Sequence, residues 1–289
     1  LWNDFVKFFY TLVDWYENIE LFHIVGFLVS AGKPVYELYR LYEGKTKSDF
    51  KNDLIEIINS PEIIPNDLDS VKYSTTGSNA PIERVLLLFN ILSILHSSSH
   101  DERISFNKYH SSKNKWSIEH IHAQDSELLQ KKDQRETWIK DHIKLLGEKA
   151  EASNDQNASV VFDEYSKVDI SILTEDSRFA IVHETILKAL TGGQSLPDIH
   201  ALGNLALLDK DTNSAFNNSV FEQKTRIMKR RISEGHYILP ATRNVFFKYY
   251  TTNPGALYYW SINDFYSYHN CVVEAISKYL GRKYGAENE

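Results

Sequence analysis

Two short stretches carry the residues best suited to chemistry. The first, Trp116-Ser117-Ile118-Glu119-His120-Ile121-His122-Ala123-Gln124, reads as a short β-strand ending in a carboxylate and an imidazole side by side. The second, Leu202-Gly203-Asn204-Leu205-Ala206-Leu207-Leu208, continues through Asn213, Asn217, Phe221 and Lys224. It reads as a strand running into a helix that begins with amides and ends in a basic cluster. These groups suit hydrolysis of a phosphodiester. An imidazole can take a proton from water near neutral pH. Carboxylate and amide oxygens suit a hard divalent cation, and a cation can neutralise charge growing on phosphate and on a departing oxygen.

Taken together, the two stretches resemble the HNH-type module at the C-terminus of GmrSD-type modification-dependent (type IV) restriction enzymes, a module shared by SspE-like phage-defence nucleases. The first motif is matched by Trp116, Ile118, Glu119, His120, Ile121 and Gln124. The second is matched by Leu202, Gly203, Asn204, Leu205, Leu207, Leu208, Asn213, Ser214, Asn217, Phe221 and Lys224. Ala123 stands where the family usually has proline, a change that removes no reacting group. The segments Arg103–Tyr109 and Leu239–Trp260 are also similar to the family, so the likeness covers roughly residues 100–280.

The resemblance implies a strand–strand–helix (ββα-metal) element and a metal-dependent endonuclease or nickase acting on DNA within a restriction or antiviral defence system. On it, His120 takes the proton from water, with a pKa expected near 7. Glu119 and the amide oxygen of Asn213 hold one divalent metal ion, Mg²⁺ or else Mn²⁺, with water filling much of the shell. Asn204, at the start of the second strand, braces the loop carrying the base. His120, Asn204 and Lys224 form the catalytic set. The spacing of Asn213, Asn217 and Lys224 places them on one face of one helix, with Phe216, Val220 and Ile227 on a neighbouring stripe against the hairpin. The amide end is the helix N-terminus, where backbone N–H groups also favour phosphate.

Asn217, His122, Arg226, Lys229, Arg230 and Arg231 are the expected substrate-binding residues. The basic run continues the proposed stripe in an otherwise acidic chain, which points to phosphate. His122 shares the side of His120 if the strand continues, and a second metal ligand or a structural or substrate-side role are all open. Asn217 fits a substrate or a structural role. His200 reads as a turn residue, and Tyr249, Tyr250, Tyr258, Tyr259 and Trp260 read as core, with base stacking the alternative.

The elements that must position these groups are mostly helical. Phe5, Phe8, Phe9, Leu12, Val13, Tyr16 and Ile19 recur at helical spacing, and Val35, Leu38, Tyr39 and Tyr42 resume it after Gly32-Lys33-Pro34. Phe50, Leu54, Ile57 and Ile58 mark another helix, and residues 59–81 read mostly as loop. Glu83 to Leu95 is apolar nearly all round, as a helix in the middle of a core is. A polar break at Ser97-Ser98-Ser99 suggests a helical domain over 1–98 and a nuclease domain over 99–289. Within the latter, residues 125–198 form a helical insertion between the motif halves. Helices are expected around Trp138–Leu146 and Ala180–Leu190, with Glu151 to Ser159 polar and mobile between them and a turn at Gly192-Gly193-Gln194-Ser195. Ile262, Phe265, Tyr266, Val273, Ile276 and Leu280 outline a C-terminal helical cap. The expected fold class is mostly α, with a small hairpin-helix element embedded in helices.

The bulk composition limits the alternatives. A chain of 289 residues can bury a real core, and 13% aromatic content fits one. The net charge of −7 is unhelpful to nucleic-acid binding, so DNA contact must come from a local patch. A single cysteine, Cys271, excludes an intrachain disulfide or a cysteine-type zinc site and fits a reducing cytoplasm. The longest apolar stretch is far short of the ~20 residues a membrane span needs. The only methionine is Met228, so the chain reads as the C-terminal part of a longer protein. By family resemblance, the missing partner is an N-terminal nucleotide-hydrolysing domain that senses modified DNA. Two other functions remain compatible with these residues: a non-catalytic HNH-like DNA-binding or assembly domain, and a ribonuclease.

Overall fold

The computed structural model describes residues 1–97, 102–109, 116–122, 129, 131–153, 155–191, 193, 196–216, 219–251 and 260–283. Over these residues the protein is mostly helical, with one small two-stranded sheet. The helices before the first motif are α1 (Trp2–Glu17), α2 (Ile19–Ser30), α3 (Val35–Tyr42), α4 (Lys47–Ile58), α5 (Ala80–Leu95) and the short α6 (Phe106–Tyr109). Asn18 separates α1 from α2, its side chain accepting from the Leu21 N–H. Gly32, at φ 95°, makes the break before α3 that the sequence predicts.

α5 sits at the centre, as its all-round apolarity requires. Ile82, Val85 to Leu92 and Ile94 are buried. The one amide in that run is satisfied. Asn90 donates to the Leu86 carbonyl and accepts from the N–H groups of Ala241 and Thr242. It thereby caps α13 (Pro240–Phe246), which has no side-chain cap of its own.

The strands β1 (Trp116–His120) and β2 (Leu205–Asp209) pair antiparallel, Trp116 opposite Asp209 and His120 opposite Leu205. Leu202, Gly203 and Asn204 form a 3₁₀ turn just before β2, so Asn204 precedes the second strand instead of starting it. Ala206, Leu207 and Leu208 are buried, and side chains from three surrounding segments bind this stretch. Tyr268 donates to the Leu205 carbonyl, Thr242 to that of Leu207 and Trp260 to that of Gly203.

One apolar core runs from Trp15 through α5, both strands and α13 to Leu280 in α14 (Ile262–Leu280). The polar stretch around residue 98 therefore divides the sequence and not the core. The insertion has its own apolar cluster, built from α7 (Lys132–Ser153), α8 (Gln156–Tyr165), α9 (Ile170–Leu173) and α10 (Asp176–Thr191). Much of its polar stretch, expected to be mobile, is helical. α7 extends to Ser153, and Asp155 caps α8 by accepting from the Ala158 N–H. Ala158, Val161 and Tyr165 then bury one face of α8, which outweighs the polar residues between them. The Gly192-Gln194-Ser195 part of the expected turn lies outside the described residues. α14 begins with a capping box formed by Ser261 and Asp264, and ends at Gly281 with φ 64°. No helix of the described residues is long and apolar enough to cross a membrane.

Candidate functional site

After β2 the chain forms α11 (Lys210–Phe216) and then α12 (Phe221–Ser233). Asn213 and Lys224 therefore lie on two helices, not on one face of a single helix. Asn217 and Ala123 lie outside the described residues, as does Gln124. The apolar positions that suggested continuity are buried on both sides of the break: Phe216 ends α11, Val220 is the N-cap of α12 and Ile227 lies within it.

Both helices nonetheless return to β1. The Asn213 amide N–H donates to Ser117 Oγ at 2.8 Å and to the Ile118 carbonyl at 3.3 Å. Lys224 is completely buried, with Nζ 2.6 Å from Glu119 Oε1 and 2.5 Å from the His120 carbonyl. Burial pushes the Glu119 carboxyl up from its ordinary value, against the pull of the Lys224 ammonium.

Successive residues of a strand point to opposite faces, and the partners of Glu119 and His120 differ accordingly. Glu119 meets α12. His120 Nε2 lies 3.2 Å from His200 Nδ1, and the Tyr73 ring packs edge-on against His120. The carboxylate and imidazole are neighbours in the chain but serve two different sides of β1. Burial, the Lys224 charge and His200 hold the His120 pKa down at about 4, well below the value near 7 expected from the sequence. The imidazole is therefore neutral at physiological pH, but it binds a proton more weakly than the base of pKa near 7 expected from the sequence.

Asn204 joins the two halves of the site. Its amide oxygen accepts from the His122 N–H at 2.7 Å, and its amide nitrogen donates to the carbonyls of His122 and Ile199. The side chain is fully buried. β1 ends at His120, so His122 does not continue the strand; its backbone is held by this amide. His200 does lie in a turn, as expected, but its ring contact with His120 was missed. Only the neighbouring Leu202-Gly203-Asn204 motif hinted at its importance, and the Tyr73 partner is distant in sequence.

The basic run is not one phosphate-facing surface. Lys224 points inward, and Arg226 is paired with Glu222 of its own helix and with Glu148 of α7. Arg231 donates to the Asp211 carbonyl and contacts His236. Lys229 and Arg230 are exposed, with Arg230 4.0 Å from Glu234. A cleft of about 580 Å³ opens beside Asn213 and Ser117, with Lys210, Glu83 and Tyr73 also on its walls.

Among the described residues, no three of His, Cys, Asp and Glu converge as a metal-binding group. The candidate set consists of one carboxylate, Glu119, and one amide oxygen, Asn213, both hard donors. Their chemistry fits a divalent cation that keeps several waters. Lys224 would share the carboxylate with it.

The chain matches no family model, no curated protein and no solved structure.

Proposed function

We propose that this chain carries a one-metal, HNH-type site that hydrolyses DNA phosphodiester bonds, as an endonuclease or nickase in a restriction or phage-defence enzyme. The observation that carries this reading is the reach of the Asn213 amide back to β1 at Ser117 and Ile118, immediately before Glu119-His120. It brings Asn213 of the second motif onto the strand of the first. The Asn204 bridge to His122 supports it further, since a general base needs a fixed loop.

In this mechanism the neutral His120 imidazole accepts a proton as water attacks phosphorus. The new oxygen–phosphorus bond forms as the bond from phosphorus to the 3′ oxygen breaks. Asn204 fixes the backbone after the base, and Lys224 holds both Glu119 and the carbonyl end of β1. Glu119 and Asn213 would hold the Mg²⁺ or Mn²⁺ ion, which when bound would neutralise charge on phosphate and stabilise the leaving oxygen. Lys229 and Arg230 are the exposed cations of α12 available to flanking phosphates. An N-terminal nucleotide-hydrolysing sensor of modified DNA would be the regulatory partner. Purified chain incubated with supercoiled plasmid should nick or linearise it with Mg²⁺ or Mn²⁺ and leave it intact with EDTA. Intact plasmid under every divalent-ion condition would count against the proposal.

The Lys224–Glu119 pair favours one second reading, in which the hairpin is a non-catalytic DNA-binding or assembly scaffold. A buried ammonium already neutralises the proposed metal-binding carboxylate. That reading predicts DNA binding indifferent to EDTA and no cleavage.

A further inference from the structure

α1 carries two apolar stripes, and among the described residues only one is covered. Phe8 packs edge-on against Tyr39 of α3, and the buried Trp15 stacks on Phe50 of α4 at 5.1 Å. The second stripe is Trp2, Phe5, Phe9, Leu12 and Tyr16. Its steps of three and four residues are those of a coiled-coil seam, and it holds no charge, since Asp4, Lys7, Asp14 and Glu17 all fall elsewhere around the helix. Of the five, only Leu12 is half-buried against the core. Trp2 is 74% exposed, Phe5 59%, Phe9 52% and Tyr16 58%. The exposed rings are already ordered. Trp2 and Phe5 stack with centroids 6.0 Å apart, and Tyr16 packs edge-on against Phe22 with the Arg103 guanidinium 4.9 Å from its own ring centre.

Ordered aromatic rings lose little freedom when covered, and Trp and Tyr are enriched at the centres of interfaces for that reason. At ~200 Å² per aromatic side chain, the four exposed rings and the adjoining Tyr10, 65% exposed, present on the order of 600 Å². A stable protein–protein interface takes roughly 600–1,000 Å² from each partner. We infer that this face is an interface between two copies of the chain, with α1 against α1 in antiparallel orientation. A symmetric dimer needs a patch complementary to itself. The stripe is one, because Trp2 and Tyr16 each lie seven residues from Phe9. Antiparallel pairing about Phe9 sets Phe9 against its own copy and Trp2 of each chain against Tyr16 of the other. It also lays the positive N-terminal end of each helix beside the negative C-terminal end of its mate, where parallel pairing brings like ends together. A lipid surface fits less well. Helices that lie on membranes carry Lys and Arg beside the apolar face, and α1 has one cation, Lys7, against Asp4, Asp14 and Glu17. α1 carries no residue of the hairpin site, so the pairing and the nuclease reading stand or fall separately.

The test is analytical ultracentrifugation of the full chain over a concentration series, combined with cysteine cross-linking. The parent should approach twice the mass of the 33.5 kDa chain as concentration rises. Phe9→Asp sets two carboxylates together on the two-fold axis. It should raise the dimer Kd at least about 30-fold, the effect of losing one hot-spot ring. Its circular dichroism and melting should match the parent, because Phe9 is exposed. Val160→Asp alters an exposed apolar side chain of α8, far from the stripe in sequence, and should leave the Kd unchanged. In a Cys271→Ser background, Phe9→Cys should give a disulfide-linked dimer under mild oxidation. Trp2→Cys should not, because its copy lies about 21 Å away along the paired helices, beyond the reach of a disulfide. A parent that stays monomeric at every concentration would overturn the inference, and a monomer that binds phosphatidylcholine vesicles would assign the stripe to lipid instead. A dimer weakened as much by Val160→Asp as by Phe9→Asp would overturn it too, as would cross-linking through Trp2→Cys and not through Phe9→Cys.

Discussion

Lys224 and Glu119 form a buried ion pair, with Nζ 2.6 Å from Oε1, no exposure of the lysine side chain and 12% exposure of the glutamate. The same ammonium reaches the His120 carbonyl, so one cation from α12 ties down the last two residues of β1. A carboxylate in this setting is costly without its partner, because desolvation already pushes the carboxyl up.

Lys224→Met should therefore destabilise the fold by about 3–5 kcal/mol, the usual result of breaking a buried pair on one side. The double variant Lys224→Met/Glu119→Gln should recover much of that loss, because no charge is left unpaired. Urea unfolding of both variants checks this. A single variant as stable as the parent would mean that the pair is not formed in solution.

Gly203 is required by close approach. A Cβ there would meet the Phe265 carbonyl oxygen at 2.7 Å and the Phe265 ring at 3.0 Å. α14 would have to move, so Gly203→Ala should cost about 1–3 kcal/mol. Thermal melting of the variant is the direct check, and an unchanged midpoint would contradict the packing of α14 on this turn.

The insertion should be sensitive to acid. His142 is buried against Trp138; its Nδ1 donates to the Trp138 carbonyl and its Nε2 accepts from the Val220 N–H. Burial, opposed by the bond to Trp138 and reinforced by His183, holds its pKa down at about 3. The unfolded group titrates near 6.5, so the unfolded chain binds more protons below that pH. The associated stability is fully present above about pH 6.5 and is lost as pH falls toward 3, by about 1.4 kcal/mol per pH unit for one proton. His142→Gln should flatten that slope between pH 6.5 and 4.5 in urea titrations. An unchanged slope would show that His142 is not buried in its neutral form.

DNA affinity should depend on only part of the basic run. Reversing Lys229 and Arg230 to glutamate should weaken binding to all sequences about equally and flatten the log–log salt slope by up to roughly two units. Arg226→Ala should change the slope much less, because Glu148 and Glu222 already occupy that guanidinium. Affinity measured across a salt series separates the two. Equal effects from both changes would mean that the α7–α12 ion pair opens on DNA.

The sequence was most informative where local pattern decides structure. The apolar run of α5, the strand of Trp116 to His120 and the stripe of α14 appear at the places their periodicity indicates. It was least informative where a few atoms decide between continuing and stopping. Phe216, Val220 and Ile227 keep helical spacing across the gap between α11 and α12, so periodicity alone joins two helices into one. Asp155 turns an apparently loose polar stretch into the start of α8 through one cap. The motifs pointed to Glu119, His120, Asn204 and Asn213, which all lie at or against the hairpin. The Tyr73–His200–His120 cluster was invisible because it joins segments with no shared periodicity. The low pKa of His120 was hidden for the same reason, since it follows from burial and from Lys224 brought in by α12.

The most direct test of the account is single-turnover cleavage of a DNA duplex in Mn²⁺ or Mg²⁺ by His120→Ala beside the parent chain. The account predicts a rate at least about a hundredfold lower, the lower end for losing a general base, with the fold intact by circular dichroism. A folded His120→Ala chain that cuts as fast as the parent would contradict it.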